Sequence, residues 1–273
     1  MRIRARREKM KFDVQKISRE ELCSYLKAAG IDENEIRPLV FDTVDSTNTV
    51  ARGEACKKIP TLVVANAQTG GRGRLGRIFA CPDGAGVYMS LLIYPDFPPS
   101  EASRLTCLAA VATARAIEKT SELQPYVKWV NDLYVGNKKL CGILTEGSVD
   151  AHGGLAYAVI GIGINVHRTE GELPEIATSI EAEGGRPTKR ARLIAEVVAE
   201  LLPMLTAKNT EEYFREYIER AKPIIGKEVT VTRADESYPA TVLGIEQDGR
   251  LSVKDADGKI RLLGSGEVSL SFI

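Results

Sequence analysis

The chain has 273 residues, enough for one large domain with a smaller one beside it and a sizeable core. Lys+Arg and Asp+Glu stand at 37 each, so no global basic field draws it to nucleic acid or membrane, and any anion site must be local. Five scattered cysteines (Cys23, Cys56, Cys81, Cys107, Cys141) without a Cys-x-x-Cys pair read as reduced thiols of a cytoplasmic protein, and only two histidines argue against a histidine-built zinc site or a Ser–His–Asp triad.

Residues 1–16 are basic, lack the apolar stretch of a signal peptide, and are expected to form a disordered arm, with Met10 an alternative start. Ser18-Arg-Glu-Glu21 resembles a capping box, and Leu22, Tyr25 and Leu26 give a helical stripe that Gly30 ends. Leu39–Val44 is extended and leads into Asp45-Ser-Thr-Asn48, a capping cluster before a helix expected to reach about Lys58. Thr61–Ala65 and Val87–Ile93 read as strands, 101–119 as an Ala-rich helix, and Tyr126–Val130, Leu133–Val135, Lys139–Glu146 and Leu155–Val166 as further strands. Helices follow at roughly 189–206 and 210–221. No run of about 18 apolar residues exists, so no membrane-spanning helix is expected. The mixture points to an α+β fold with a largely antiparallel sheet backed by helices. After Pro223 short alternating runs dominate, with turns at Asp248-Gly249 and Asp257-Gly258. They read as a small SH3-like barrel resting on the larger domain, which divides the chain at 1–16, 17–222 and 223–273.

The most informative segment is Gln68-Thr-Gly-Gly-Arg-Gly-Arg-Leu-Gly-Arg77, four glycines alternating with Arg72, Arg74 and Arg77 and no acid among them. Glycine lets backbone approach a ligand closely, arginine offers forked donors to carboxylate or phosphate, and successive N–H groups can form an anion-binding concavity. It is neither a Walker phosphate loop nor a dinucleotide Gly-x-Gly-x-x-Gly opening a helix. A mobile surface loop or an RGG-type nucleic-acid tether is the competing reading. Three further clusters place polar groups where a plain core would avoid them: Lys128-Trp-Val-Asn-Asp132, Lys138-Lys-Leu-Cys-Gly142 and Gly161-Ile-Gly-Ile-Asn165, the last with glycines that weaken a strand unless something approaches closely. Each alone has an ordinary structural explanation.

In order and spacing, the Asp45–Asn48, Gln68–Arg77, Lys128–Leu133, Lys139–Leu144 and Gly161–Asn165 segments together resemble the biotin protein ligase family, over about residues 40 to 168. The resemblance implies a catalytic domain related to class II aminoacyl-tRNA synthetases and lipoate ligases, followed by a terminal SH3-like barrel. It also implies activation of biotin by ATP and Mg²⁺ as biotinyl-5′-AMP, and transfer of the biotinyl group to a lysine of a biotin carboxyl carrier domain. By the same resemblance Arg72, Arg74 and Lys139 are catalytic and, with Gly71 and Gly73, bind the biotin carboxylate and adenylate, while Ser46, Thr47, Asn48 and Gln68 face the ureido group. Arg74, Arg77, Phe79, Lys128, Asn131, Lys139 and Asn165 are expected at the nucleotide, with Asp132 toward Mg²⁺.

Three departures stand out: Val130 replaces a common proline, Phe79 a common tryptophan and Cys81 a frequent serine. Some relatives carry an N-terminal winged helix-turn-helix and repress transcription; a single predicted helix precedes Asp45 here, so a ligase without repressor activity or specific DNA binding is expected. The family includes homodimers, and a dimer is the leaning. Two alternatives stay open, a lipoate ligase on the same scaffold and a nucleic-acid module using the Gly/Arg loop. Pyrophosphate exchange with biotin, lipoate or no acid separates them.

Overall fold

The computed structural model describes residues 15–95, 102–168, 173–233, 236–264 and 268–272. Most of the expected basic arm, residues 1–14, lies outside them. Its end is tied down: Arg190 donates to the Gln15 carbonyl at 2.7 Å, and just past the arm Asn66 exchanges two hydrogen bonds with the Ile17 backbone.

The chain runs α1 (Arg19–Ala28), β1 (Arg37–Val44), α2 (Thr47–Gly53), β2 (Thr61–Gln68), β3 (Gly86–Ile93), α3 (Ala102–Ser121), β4 (Tyr126–Lys128), β5 (Asp132–Val135), β6 (Lys138–Val149), β7 (Leu155–Asn165), α4 (Arg190–Thr206) and α5 (Glu211–Ala221). Five strands follow: β8 (Glu228–Arg233), β9 (Glu236–Ile245), β10 (Leu251–Asp255), β11 (Ile260–Leu263) and β12 (Val268–Phe272). Ser18 caps α1 as its sequence predicts, accepting from the Glu21 N–H at 3.1 Å. The helix after Ser46 is shorter than expected. It stops at Gly53, and a separate 3₁₀ turn, Ala55–Lys57, carries the chain to Lys58 at φ 54°.

The first seven strands form one sheet in the order β1-β2-β3-β7-β6-β5-β4, in which only β1 and β2 run parallel. The remaining five form an antiparallel sheet, β11-β10-β9-β8-β12. Side chains alternate across a strand, so each strand of the large sheet feeds two faces. On one face Leu62, Val64, Val87, Leu91, Ile160, Ile162, Ile164, Ile143 and Val127 pack with α1, α3, α4 and α5 into the main core. The alanines of α3 (Ala109, Ala110, Ala112, Ala114, Ala116) are fully buried and let that helix lie close to its neighbours.

The other face is thin. Under α2 a small cluster of Ala51, Val63, Leu92 and Val159 is buried, and beyond it the face carries polar residues and glycines. Strand register lines these up. Lys128 stands opposite Asp132, Asp132 opposite Gly142, Gly142 opposite Gly163, and Gly163 opposite Tyr88. The neighbouring row is Leu144, Gly161 and Ser90. A concave, polar floor therefore follows from a period of two in the sequence.

Candidate active site

On this floor lies a cleft of about 270 Å³. The Gly/Arg loop forms its roof, running out of β2 and folding on itself: Gly73 donates to the Arg77 carbonyl at 2.7 Å and Phe79 to the Gly71 carbonyl at 3.0 Å. Leu75 at the tip adopts φ 56°. A second wall is the segment from Leu173 to Ala177, fixed to the sheet by Lys139 N–H donating to the Ile176 carbonyl and Thr178 N–H to the Lys139 carbonyl, both at 2.8 Å.

The lining brings together Ser46, Thr47, Asn48, Gln68, Arg72, Gly73, Arg74, Arg77, Phe79, Lys128, Asn131, Asp132, Lys139 and Asn165, drawn from segments far apart in sequence. Of the residues singled out from sequence, Gly71 is not in that lining. A Cβ there would stand 2.7 Å from Cys81 Sγ and clash with the Phe79 carbonyl, so Gly71 lets the loop fold onto its own base.

One end of the cleft is neutral and polar. Thr47 N–H donates to Gln68 Oε1 at 2.7 Å, and Gln68 Nε2 donates to Cys81 Sγ at 2.8 Å. Burial pushes the Cys81 thiol up to about 11, so it stays neutral. Ser46 precedes α2 without capping it through its side chain.

The other end is cationic. Among the described residues, Arg72, Arg74, Arg77, Lys128 and Lys139 line the cleft against a single carboxylate, Asp132. Lys139 Nζ lies 2.7 Å from Asp132 Oδ1 and 5.9 Å from the centre of the Phe79 ring. Arg74 donates to Asn131 Oδ1 at 3.2 Å, and Asn131 Nδ2 donates to the Ile143 carbonyl at 2.7 Å, which aims the guanidinium over the floor. Lys128 is buried, donates to Tyr134 Oη at 3.3 Å and lies 5.0 Å from that ring's centre. Burial pulls its ammonium down to about 8; Asp132 opposes this, while Lys139 and Arg77 add to it. Arg74 is lowered by burial, again with Asp132 opposing.

The sharp turn between β4 and β5 presents Asn131 and Asp132. Its Trp129–Val130 peptide is cis. The surrounding elements hold it: Tyr217 of α5 donates to the Val130 carbonyl and Trp129 Nε1 to the Gly249 carbonyl in the turn between β9 and β10, both at 2.9 Å. The strand glycines leave room for side chains above them. A Cβ on Gly163 would stand 2.5 Å from Phe79 Cε1, one on Gly142 would stand 3.1 Å from Lys139 Nζ, and one on Gly161 would collide with the Asn48 amide. Asn165 is buried and donates to the Thr178 carbonyl at 2.9 Å, so it holds the second wall in place.

Sequence reading missed Tyr134, Ser90 and Glu146. Ser90 carries a visible signal, the one small polar side chain inside the run Val87–Ile93; Tyr134 and Glu146 carry none, because their role depends on which strand lies beside them. Among the described residues no three His, Cys, Asp or Glu side chains gather as a metal cage, and no helix is long and apolar enough to cross a membrane.

Residues 40–165 match the Biotin/lipoate A/B protein ligase family, and residues 224–271 match the biotin protein ligase C terminal domain. The chain is 31% identical to the bifunctional ligase/repressor BirA of Bacillus subtilis, over 95% of this chain and 85% of the relative. It is 27% identical to the biotin–[acetyl-CoA-carboxylase] ligase of Mycobacterium tuberculosis, over 76% of this chain and 77% of the relative. Among solved structures, the biotin protein ligase of Aquifex aeolicus in complex with biotin and ATP superposes with a TM-score of 0.70 at 28% identity, covering 86% of this chain and 99% of that one. The fold and site define a ligase of the biotin/lipoate class. The chain belongs to the biotin protein ligase family.

Proposed function

We propose that the chain is an ATP-dependent biotin protein ligase: it joins the biotin carboxylate to the α-phosphate of ATP, releases pyrophosphate, and passes the biotinyl group to a lysine of a biotin carboxyl carrier domain. One observation carries this reading. In a protein with 37 cationic and 37 acidic residues, five cations and one carboxylate among the described residues line a single cleft, and that cleft continues into a neutral wall of Ser46, Thr47 and Gln68.

A carboxylate attacking an α-phosphate brings two anions together, so the barrier is largely electrostatic, and fixed cations and N–H donors lower it. Arg72 and Arg74 are assigned to the carboxylate and α-phosphate. Lys139, held by Asp132, neutralises charge on the oxygen that bridges them as the acyl–phosphate bond forms and pyrophosphate leaves. Phe79, Arg77, Lys128 and Asn131 are assigned to the nucleotide. Asn165 acts through the second wall. Hard Mg²⁺ prefers one or two carboxylates plus phosphate oxygens to an all-protein cage; Asp132, the carboxylate that the described residues bring to the cleft, fits that role, and the ion would screen phosphate charge. Acyl transfer then needs the carrier lysine as free amine, which attacks the carbonyl and expels AMP.

Gln68 and Thr47 favour a cyclic urea over a dithiolane, because a wall built to pair hydrogen-bonding groups rejects ligands that lack them. The test is incubation of the purified protein with biotin, Mg-ATP and a carrier domain, followed by mass measurement of the carrier. A mass increase of one biotinyl group is expected; an unmodified carrier in the presence of folded protein refutes the proposal.

A further inference from the structure

The turn between β4 and β5 has a cavity on each side. Trp129, Asn131 and Asp132 line the catalytic cleft, while Val130 between them lines a second cavity of about 360 Å³. That cavity lies where the start of α3, helix α5 and the β9–β10 turn come together. Its floor is apolar, made by Val130, Cys107 and Phe214, all buried. Among the described residues, its charges are Arg104 and Arg250 against Asp248. Arg250 and Asp248 pair with each other at 2.7 Å, which leaves Arg104 as the surplus cation of the lining.

The Arg104 guanidinium lies 6.0 Å from the centre of the Phe214 ring. It carries five N–H donors in a fixed fork, more than a single partner takes up. A forked cation beside an apolar floor suits a carboxylate on a small apolar body. Two routes join this cavity to the cleft. Val130 is flanked in the chain by residues that face the nucleotide side. Phe214 also stacks on Tyr217, with ring centres 6.0 Å apart and planes 11° from parallel, and Tyr217 donates to the Val130 carbonyl. A ligand packed on Phe214 and Val130 therefore bears on the turn that presents Asn131 and Asp132.

We infer that this cavity is a second ligand site, taking a small apolar or aromatic carboxylate, and that filling it braces the turn and tightens ATP binding in the neighbouring cleft. The site itself goes beyond the ligase reading; the coupling to ATP rests on that reading. A turn ordered by one ligand is ordered at less cost by the next. The effect is reciprocal, so ATP tightens the carboxylate by the same factor.

The probe is 3-phenylpropionate, with 3-phenylpropanol as its neutral counterpart. Trp129 is the chain's single tryptophan, and its indole donates to the Gly249 carbonyl in the cavity wall, so its fluorescence reports occupancy. Because Trp129 also lines the cleft, the titration is run with biotin and Mg-ATP saturating, which keeps the probe out of the cleft. Saturable binding of the acid is expected, with the alcohol at least about tenfold weaker. Arg104→Gln should weaken the acid at least about tenfold and leave the alcohol unchanged. Without biotin, saturating probe should lower Kd for ATP about fivefold, and ATP should lower Kd for the probe equally. No saturable binding, equal binding of acid and alcohol, or an Arg104→Gln variant that binds the acid as wild type does overturns the site. A Kd for ATP that the probe leaves unchanged or raises overturns the coupling. A folded protein that binds the probe and no ATP overturns the ligase reading, and the coupling with it, while the site stands.

Discussion

Replacing Lys139 by alanine removes a cation in direct contact with the cleft carboxylate Asp132. Lys139 Nζ and Asp132 Oδ1 are 2.7 Å apart, with 25% and 19% of their side chains exposed. Unit charges about 4 Å apart in a half-buried setting interact by roughly 4 kcal/mol before desolvation is counted. Losing one preorganised donor from developing charge costs about 10²–10³ in rate. The variant loses more than that donor, because Asp132 then faces the incoming phosphates without its partner. Two effects separate on that basis. Lys139→Ala should lower kcat for adenylate formation by about 10²–10³ and also raise KM for ATP. Adding Asp132→Asn removes the repulsion, so KM recovers while kcat stays low. Single-turnover quench kinetics with biotin and Mg-ATP read both quantities. A Lys139→Ala variant with native circular dichroism and kcat within about threefold of wild type would refute the reasoning. Full recovery of kcat in the double variant would reduce Lys139 to a neutraliser of Asp132.

Gly163→Ala drives a methyl group to 2.5 Å from Phe79 Cε1, so it should displace that ring and raise KM for ATP about tenfold with the fold intact; an unchanged KM contradicts the placement of Phe79 at the nucleotide. Lys128, lowered to about 8 by burial, is charged below that pH and neutral above it. KM for ATP should therefore rise as pH climbs through about 8, and nucleotide binding should take up a proton there. Lys128→Arg should flatten the profile, and identical profiles in the two proteins refute the assignment. Trp129→Phe loses the 2.9 Å hydrogen bond to the Gly249 carbonyl and should cost about 1 kcal/mol in urea unfolding, with no change in m.

The motifs were legible because each sits where strand register or loop chemistry leaves little choice. Alternation in Gly161–Asn165 placed glycines on one face, and the structure shows what approaches them, the Asn48 amide and the Phe79 ring. Glycine spacing in the Gly/Arg loop did not separate Gly73, which lines the cleft, from Gly71, which packs against the loop's own base. The Asp132–Lys139 pair was also hidden, since it depends on β5 lying beside β6 with a register shift between Leu133 and Tyr134. Propensity overran the end of α2, where Lys58 at positive φ closes a separate turn. Glu146 meets Asn48, 98 residues away, a contact that no local pattern encodes.

The central claim is that a locally cationic cleft in an overall neutral chain drives condensation of two anions. ATP–pyrophosphate exchange with biotin, with lipoate and with no acid tests it most directly. Exchange that depends on biotin, and is far weaker with lipoate, is the result predicted. A natively folded protein that exchanges no label with biotin, or exchanges it equally with lipoate, contradicts the account.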